Sequence, residues 1–350
     1  MSGVLEVLQP GIGTTVQDRG RPGHRHQGLP LAGWLDGPLA MAANALAGNA
    51  PDAAVLELRG AGTVLRVAAG PVRLALAGQI QAQTVGADGV RRPLPAWQSA
   101  TLHEGGLLQL GPAGSGCAYL ALAGGLVLPL AFGSRANAPR AGLPGLLGRA
   151  LQPGDRLPCG GGGGPDPRER RCRTPWSPAS GPVRVIPGPQ DDHFAPASLA
   201  SLFAQDWWAT AAQDRMGLRL QGQALSHRRP GDADIISDGV TPGAIQVPAD
   251  GQPIVLLADG QTVGGYPKIA TVISADLPRL AHLRPGDTLR FAAVTHAQAQ
   301  DALREQRARW QGWLAGIESV LPAGQIDDAA LYNHNLVSGM LAAHPDEDTP

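Results

Sequence analysis

The sequence predicts a mainly β protein: two related β domains in tandem, a few short helices, and a helical C-terminal tail. Three observations carry this. Glycine (48) and proline (32) are abundant among 350 residues, yet 43% of the residues are apolar. A chain dense in turn formers that still has apolar mass for a core is a turn-rich β protein rather than a disordered one. Strand-like runs recur at short spacing through the first half: Val55–Leu58, Thr63–Val67, Val72–Leu76, Gln79–Val85, Leu107–Leu110 and Cys117–Ala123. Finally, a pattern repeats. Tyr119-Leu-Ala-Leu-Ala-Gly-Gly125 leads to Leu151-Gln-Pro-Gly-Asp-Arg-Leu157, and Val255-Leu-Leu-Ala-Asp-Gly-Gln261 leads to Leu283-Arg-Pro-Gly-Asp-Thr-Leu289.

In chain order, Val4–Leu8 reads as a strand and Thr14–Gly23 as a polar loop. His24 and His26 lack further ligands at metal spacing and are expected on the surface. Asp36 caps a helix that has Pro38 in its first turn and Gly48 past its end, with Leu39, Ala42, Ala43 and Leu46 on one face. The first β domain is expected over residues 1–158. Residues 159–182, with Gly160–Gly164 and Arg168, Arg170, Arg171 and Arg173, read as a linker or long loop. The second β domain is expected over 183–294. It holds a strand at Arg184–Ile186, a helix over Ser198–Ala204, an alternating strand over Arg215–Gly222, and Asp276 as a helix cap. The tail, 295–350, opens on a Thr295/Gln298 capping box. Ala299, Ala302, Leu303, Trp310, Trp313, Leu314 and Ile317 share a helical face, and a second helix is expected over Asp327–Met340.

Composition excludes several function classes. The net charge of −1 comes without a basic cluster in the folded-looking parts, so nothing points to nucleic acid. The longest apolar run, Cys117–Phe132, is too short for a membrane helix and is broken by Gly124, Gly125 and Pro129. Three cysteines and the lack of a secretory signal at the N-terminus fit a cytoplasmic setting. No lysine follows the glycine run, so Gly160–Gly164 is not a phosphate-binding loop.

The densest chemistry lies between Ile236 and Ile273. Strand-like Ala244–Val247 and Ile254–Ala258 are joined by the turn Pro248-Ala249-Asp250-Gly251. The polar loop Asp259–Lys268 follows, then Ile269–Ile273. Lys268 is the one lysine of the chain; every other basic side chain is Arg or His. Arg is a planar fork and Lys a point charge, so a position that keeps Lys in an arginine-biased chain is a candidate site. Lys268 and Arg215 can hold a carboxylate or a developing oxyanion. Gln246, Gln261 and Thr262 can bond a small amide, and Asp18 or Asp259 can act as a base or an orienting group. If the repeat copies are equivalent, Arg135 occupies the position of the Gln261–Lys268 loop, with Arg140 a weaker candidate.

The segment GAIQVPADGQPIVLLADGQTVGGYPKIATVI resembles the signature of the biotin-dependent carboxyltransferase, or allophanate hydrolase subunit 2, family. Within that family it is most similar to the C-type subunits of bacterial 5-oxoprolinases. Matching stretches are Gly13–Gly23, Ala43-Asn44 with Gly48-Asn49, Val185–Gln190 and Asp214–Gly217. The resemblance implies cyclophilin-like β-barrels in tandem and adds Gln17, Arg19 and Tyr266 as substrate-binding candidates. It implies a protein that opens 5-oxo-L-proline to L-glutamate together with a B-type and an A-type partner, ATP being used by the complex and no metal or cofactor being held by this chain alone. It leaves two alternatives: a carboxyltransferase component acting on a urea-like acceptor, and a regulatory partner of a kinase-inhibitor protein.

Overall fold

The two Pro-Gly-Asp turns of the repeat fold alike. In each, the aspartate carboxylate accepts a hydrogen bond from the amide before the proline, Gln152 N to Asp155 Oδ2 at 2.7 Å and Arg284 N to Asp287 Oδ2 at 2.8 Å. Gly154 and Gly286 have φ of 87° and 91°, a region that only glycine enters cheaply. Each glycine N–H reaches a neighbouring strand at 2.8 Å, Val7 O in one half and Ala209 O in the other. The following strands, Arg156–Pro158 and Thr288–Leu289, pair antiparallel with Val4–Pro10 and Trp207–Gln213 in corresponding register, Leu5 opposite Leu157 and Trp207 opposite Leu289.

The computed structural model describes residues 3–161 and 168–321. The first half holds a six-stranded sheet and most of a seven-stranded one, one edge strand of which is Ile317–Val320. Leu5, Val7, Leu65 and Leu108 from one meet Leu56, Leu74, Leu76 and Leu120 from the other in a continuous apolar cluster. The second half holds an eight-stranded sheet that nearly closes, with Lys268–Val272 between Ala244–Gln246 and Val183–Pro187, and a separate two-stranded ribbon, Asp238–Gly239 with Val263–Gly264.

Four helices accompany the sheets among the described residues: α1 (Gly37–Ala47), α2 (Pro196–Ala204), α3 (Leu277–Leu280) and α4 (His296–Leu314). Helix α1 forms as expected. Asp36 Oδ1 accepts from Leu39 N at 2.9 Å, and Gly48 ends the helix at φ 82°. Its buried face belongs to a second large cluster that continues through Ala75, Ala77 and Tyr119 into Val185, Phe194, Trp207, Ile245 and Ile269. The two halves therefore share a core.

Three expectations need correction. Residues 159–182 contain a strand, Glu169–Cys172, which pairs with Ile317–Val320 and touches the first-half sheet through Arg171 opposite Gln98. Ile317 is therefore in a strand and not on the helical face, although α4 has the expected capping box and buries Ala302, Trp310 and Trp313. Arg171 and Arg173, both partly exposed, pair with Glu318. Asp276 precedes α3 without capping it; its carboxylate is taken by Arg184 N, Nε and Nη2. The helix expected over Asp327–Met340 and part of the glycine run lie outside the described residues.

Candidate functional site

Lys268 opens its strand rather than ending the loop, and it is 4% exposed. Its Nζ donates to Asp238 Oδ2 at 2.8 Å. Gln190 Nε2 lies 3.4 Å from the same oxygen, and Gln190 Oε1 accepts from Lys268 N at 3.1 Å. Gln190 reaches this place because Gly188 in Pro187-Gly188-Pro189 passes against the Lys268 strand, where a Cβ would collide with the Lys268 carbonyl oxygen. Lys268 and the Gly239 amide hold the exposed Asp238 carboxyl below the usual range, with the Lys268 hydrogen bond foremost.

Gln246 is buried beside Lys268. Its Oε1 accepts from Gln261 Nε2 at 3.2 Å, and its Nε2 donates to Tyr266 O at 3.3 Å. Gly264 makes room for it, since a Cβ there would stand 2.5 Å from Gln246 Nε2. Thr262 is half-buried and accepts through its carbonyl from Val240 N at 3.1 Å. The Tyr266 side chain is exposed.

The first half reaches this loop through Arg25, whose Nη2 donates to Val240 O at 2.6 Å and Gln261 O at 2.7 Å. Two residues from Gln261, Asp259 meets Arg215 through both carboxylate oxygens at 2.9 Å. Arg215 also donates to Glu57 Oε1 at 2.5 Å and to Gly33 O at 2.6 Å. These contacts make Arg215 a cross-link between the halves, in place of the expected grip on a substrate. Burial opposes its charge, but Glu57 and Asp259 together raise the guanidinium's pKa above its ordinary value. Burial pushes the Asp259 carboxyl up, against the pull of Arg215. Glu57 Oε2 accepts from Tyr119 Oη at 2.7 Å and from Leu35 N at 3.0 Å.

Asp18 is buried and fully engaged, accepting from Ser134 Oγ at 2.6 Å, Gly20 N at 2.8 Å and Arg135 N at 2.6 Å. It binds two loops together, with its carboxylate held by three donors. The Arg135 side chain turns to Leu128 O at 2.8 Å. Gln17 is buried with Nε2 on Thr15 Oγ1 at 3.0 Å, whereas Arg19 is exposed. Arg21 is fully buried against Ala131 O and Ala136 O. His24 packs against Phe132, ring centroids 5.2 Å apart.

The structure thus unites Lys268, Gln246, Gln261 and Tyr266 in one group and Arg215 with Asp259 in an adjoining one. Asp18 and Arg135 form a third group that braces the loops. Gln190, Asp238, Glu57 and Arg25 complete these groups and were missed as site residues. For Gln190 a signal existed, because it ends the matching stretch Val185–Gln190. Among the described residues, no group of three or more His, Cys, Asp or Glu side chains is placed to hold a metal ion.

Residues 27–293 match the carboxyltransferase domain, subdomain A and B. The C-type subunit of the Escherichia coli (strain K12) 5-oxoprolinase is 37% identical over 309 residues, 87% of this chain and 96% of the relative. That of Haemophilus influenzae is 33% identical over 86% of this chain and 95% of the relative. The crystal structure of the Kluyveromyces lactis urea amidolyase superposes with a TM-score of 0.77 at 25% identity, over 89% of this chain but only 20% of that one. The mainly β architecture, the matched span and these relatives agree: the chain belongs to the carboxyltransferase domain, subdomain A and B, family.

Proposed function

We propose that this chain is the C-type subunit of an ATP-dependent 5-oxoprolinase, forming part of the substrate site with a B-type partner and requiring an A-type partner for turnover. One observation carries the reading: the similarity to the two bacterial C-type proteins takes in nearly their whole length, whereas it takes in a fifth of the urea amidolyase. The reaction consumes 5-oxo-L-proline, ATP and water and yields L-glutamate, ADP and phosphate. Amide resonance protects the lactam, and transfer of a phosphoryl group to its carbonyl oxygen creates a leaving group. In this reading Lys268 supplies a point charge for the substrate carboxylate. The Gln246–Gln261 pair and Tyr266 meet the lactam amide. Asp259, fixed by Arg215, orients the loop from which Gln261 projects. The complex works in the cytoplasm; no described helix is long and apolar enough to cross a membrane.

The test is ATP-dependent glutamate release from 5-oxo-L-proline by this chain alone, with each partner, and with both. Activity only in the three-component mixture is expected. The urea amidolyase likeness favours one second reading, carboxyl transfer from biotin to a urea-like acceptor. Biotin-dependent carboxylation of urea in place of glutamate release would establish it.

A further inference from the structure

Lys268 and its ion-pair partner differ sharply in their surroundings. The Lys268 side chain is 5% exposed, whereas that of Asp238 is 57% exposed. Asp238 sits on a ribbon of two residues, Asp238–Gly239, held to Val263–Gly264 by two pairings. Every residue from Ile236 to Gly239 is exposed, and Ile236 almost completely so. The base of the ribbon is clamped: Ile235 N donates to Gly265 O at 2.8 Å, and Val240 is held by Arg25 Nη2 and Thr262 O. Its tip has only the ribbon pairings and the Asp238 carboxylate.

We infer that Lys268 and Gln190 form a two-donor carboxylate cradle, and that Asp238 is a built-in stand-in which an incoming ligand carboxylate displaces. This rests on the reading of Lys268 as a carboxylate holder and adds Gln190 as a binding residue and Asp238 as the gate. An ion pair with one partner open to water opens readily. A buried ammonium left without an anion is strongly unfavourable. The pair therefore exchanges one carboxylate for another and does not simply open. Gln190 is fixed against the Lys268 strand by its side chain, Lys268 N to Gln190 Oε1 at 3.1 Å, and by its backbone, Gln190 N to Lys268 O at 3.4 Å, next to Gly188 N to Ile269 O at 2.9 Å. The cradle thus persists when Asp238 leaves. Because Asp238 pairs with Gly264, its departure frees the loop that carries Gln261 and Tyr266. The favoured ligand is a small molecule with a carboxylate beside an amide.

The sole lysine makes the test direct. An amine-selective acetylating reagent acts on the full chain at Lys268 and at the N-terminal amine, which serves as the internal reference in peptide mass spectrometry. Asp238→Asn should acetylate Lys268 about tenfold faster than wild type, because the variant no longer holds Nζ in an ion pair away from the reagent. 5-Oxo-L-proline should protect Lys268 in both proteins, at about tenfold lower concentration in the variant, which has no internal competitor. Its neutral carboxamide should not protect. Gln190→Ala should weaken protection by 5-oxo-L-proline. Equal rates and equal protection in wild type and Asp238→Asn would overturn the gate, and protection by the carboxamide would overturn the cradle. Acetate separates this inference from the proposed reaction. If acetate protects as well as 5-oxo-L-proline does, the cradle stands and the lactam reading falls. If neither protects, the cradle falls, whatever the assembled enzyme turns over.

Discussion

His282 lies between two acceptors, with Nε2 2.8 Å from Asp36 Oδ2 and Nδ1 2.9 Å from Ser115 O. Only the doubly protonated ring donates to both. Burial lowers its pKa, but the Asp36 hydrogen bond and charge, the Ser115 carbonyl and the Glu57 charge together outweigh burial, and the net shift is upward from 6.5. A raised folded pKa means that the stabilisation is complete below about pH 6.5 and is lost as pH rises through the folded value. The stability gap between wild type and His282→Gln, read from urea midpoints, should therefore be wider at pH 6 than at pH 9; an equal gap would disprove the charged pair. At Lys268 the expected effect is on function. Lys268→Ala leaves Asp238 in water, so folding should survive while turnover of the assembled enzyme falls roughly a hundredfold. Lys268→Arg should recover part of it. Unchanged turnover in a folded Lys268→Ala complex would remove the residue from the site. Lys268 was visible in the sequence because composition singles it out. Gln190 and Asp238 were not, because they meet it across 78 and 30 residues through sheet register. Asp18 and Asp259 both read as a base or an orienting group, and only the fold reveals that Ser134 and Arg135 engage one and Arg215 the other.

The repeated turn offers a test at the level of the element. Nothing lies within 4 Å of a Cβ built on Gly154 or Gly286, so alanine there meets no clash. It meets only the left-handed backbone, at a cost of about 1–2 kcal/mol. Gly154→Ala and Gly286→Ala should each lower stability by that amount, equally and additively, in denaturant titrations. Unequal losses would show that the turns are not equivalent. Helix α1 and the capping box of α4 were legible because their signals are local: a side chain and an amide three residues apart. The strand Ile317–Val320 was not. Ile317 falls on the apolar period of α4, and nothing local reveals that the next residues pair with Glu169–Cys172. Asp276 failed for the converse reason: it has the residue type and position of a cap, but Arg184, 92 residues away, offers it three donors.

In the whole molecule, the exposed apolar side chains divide between the two halves. Ile12, Val90, Val127, Leu130 and Phe132 come from the first half, and Trp208, Ile236, Val263 and Tyr266 from the second. Ile236, Val263 and Tyr266 belong to the segments of the Lys268 group, and Phe132 is tied to them through His24, whose neighbour Arg25 bonds Val240 O and Gln261 O. Large apolar side chains left in water around a polar site mark an interaction surface. In the proposed assembly, the B-type partner covers this rim and excludes water from the site. Co-expressed with that partner, the chain should therefore elute as one complex on size exclusion at micromolar concentration. A charge placed at the centre of such a contact weakens it by about 2 kcal/mol or more, some thirtyfold in Kd. Phe132→Asp and Val263→Asp should each have this effect on affinity measured by calorimetry. Trp208→Asp is the control, since Trp208 is equally exposed but lies on Trp207–Gln213, away from those segments. If Trp208→Asp weakens the complex while Phe132→Asp and Val263→Asp do not, the partner docks elsewhere, and the site must close by its own loops.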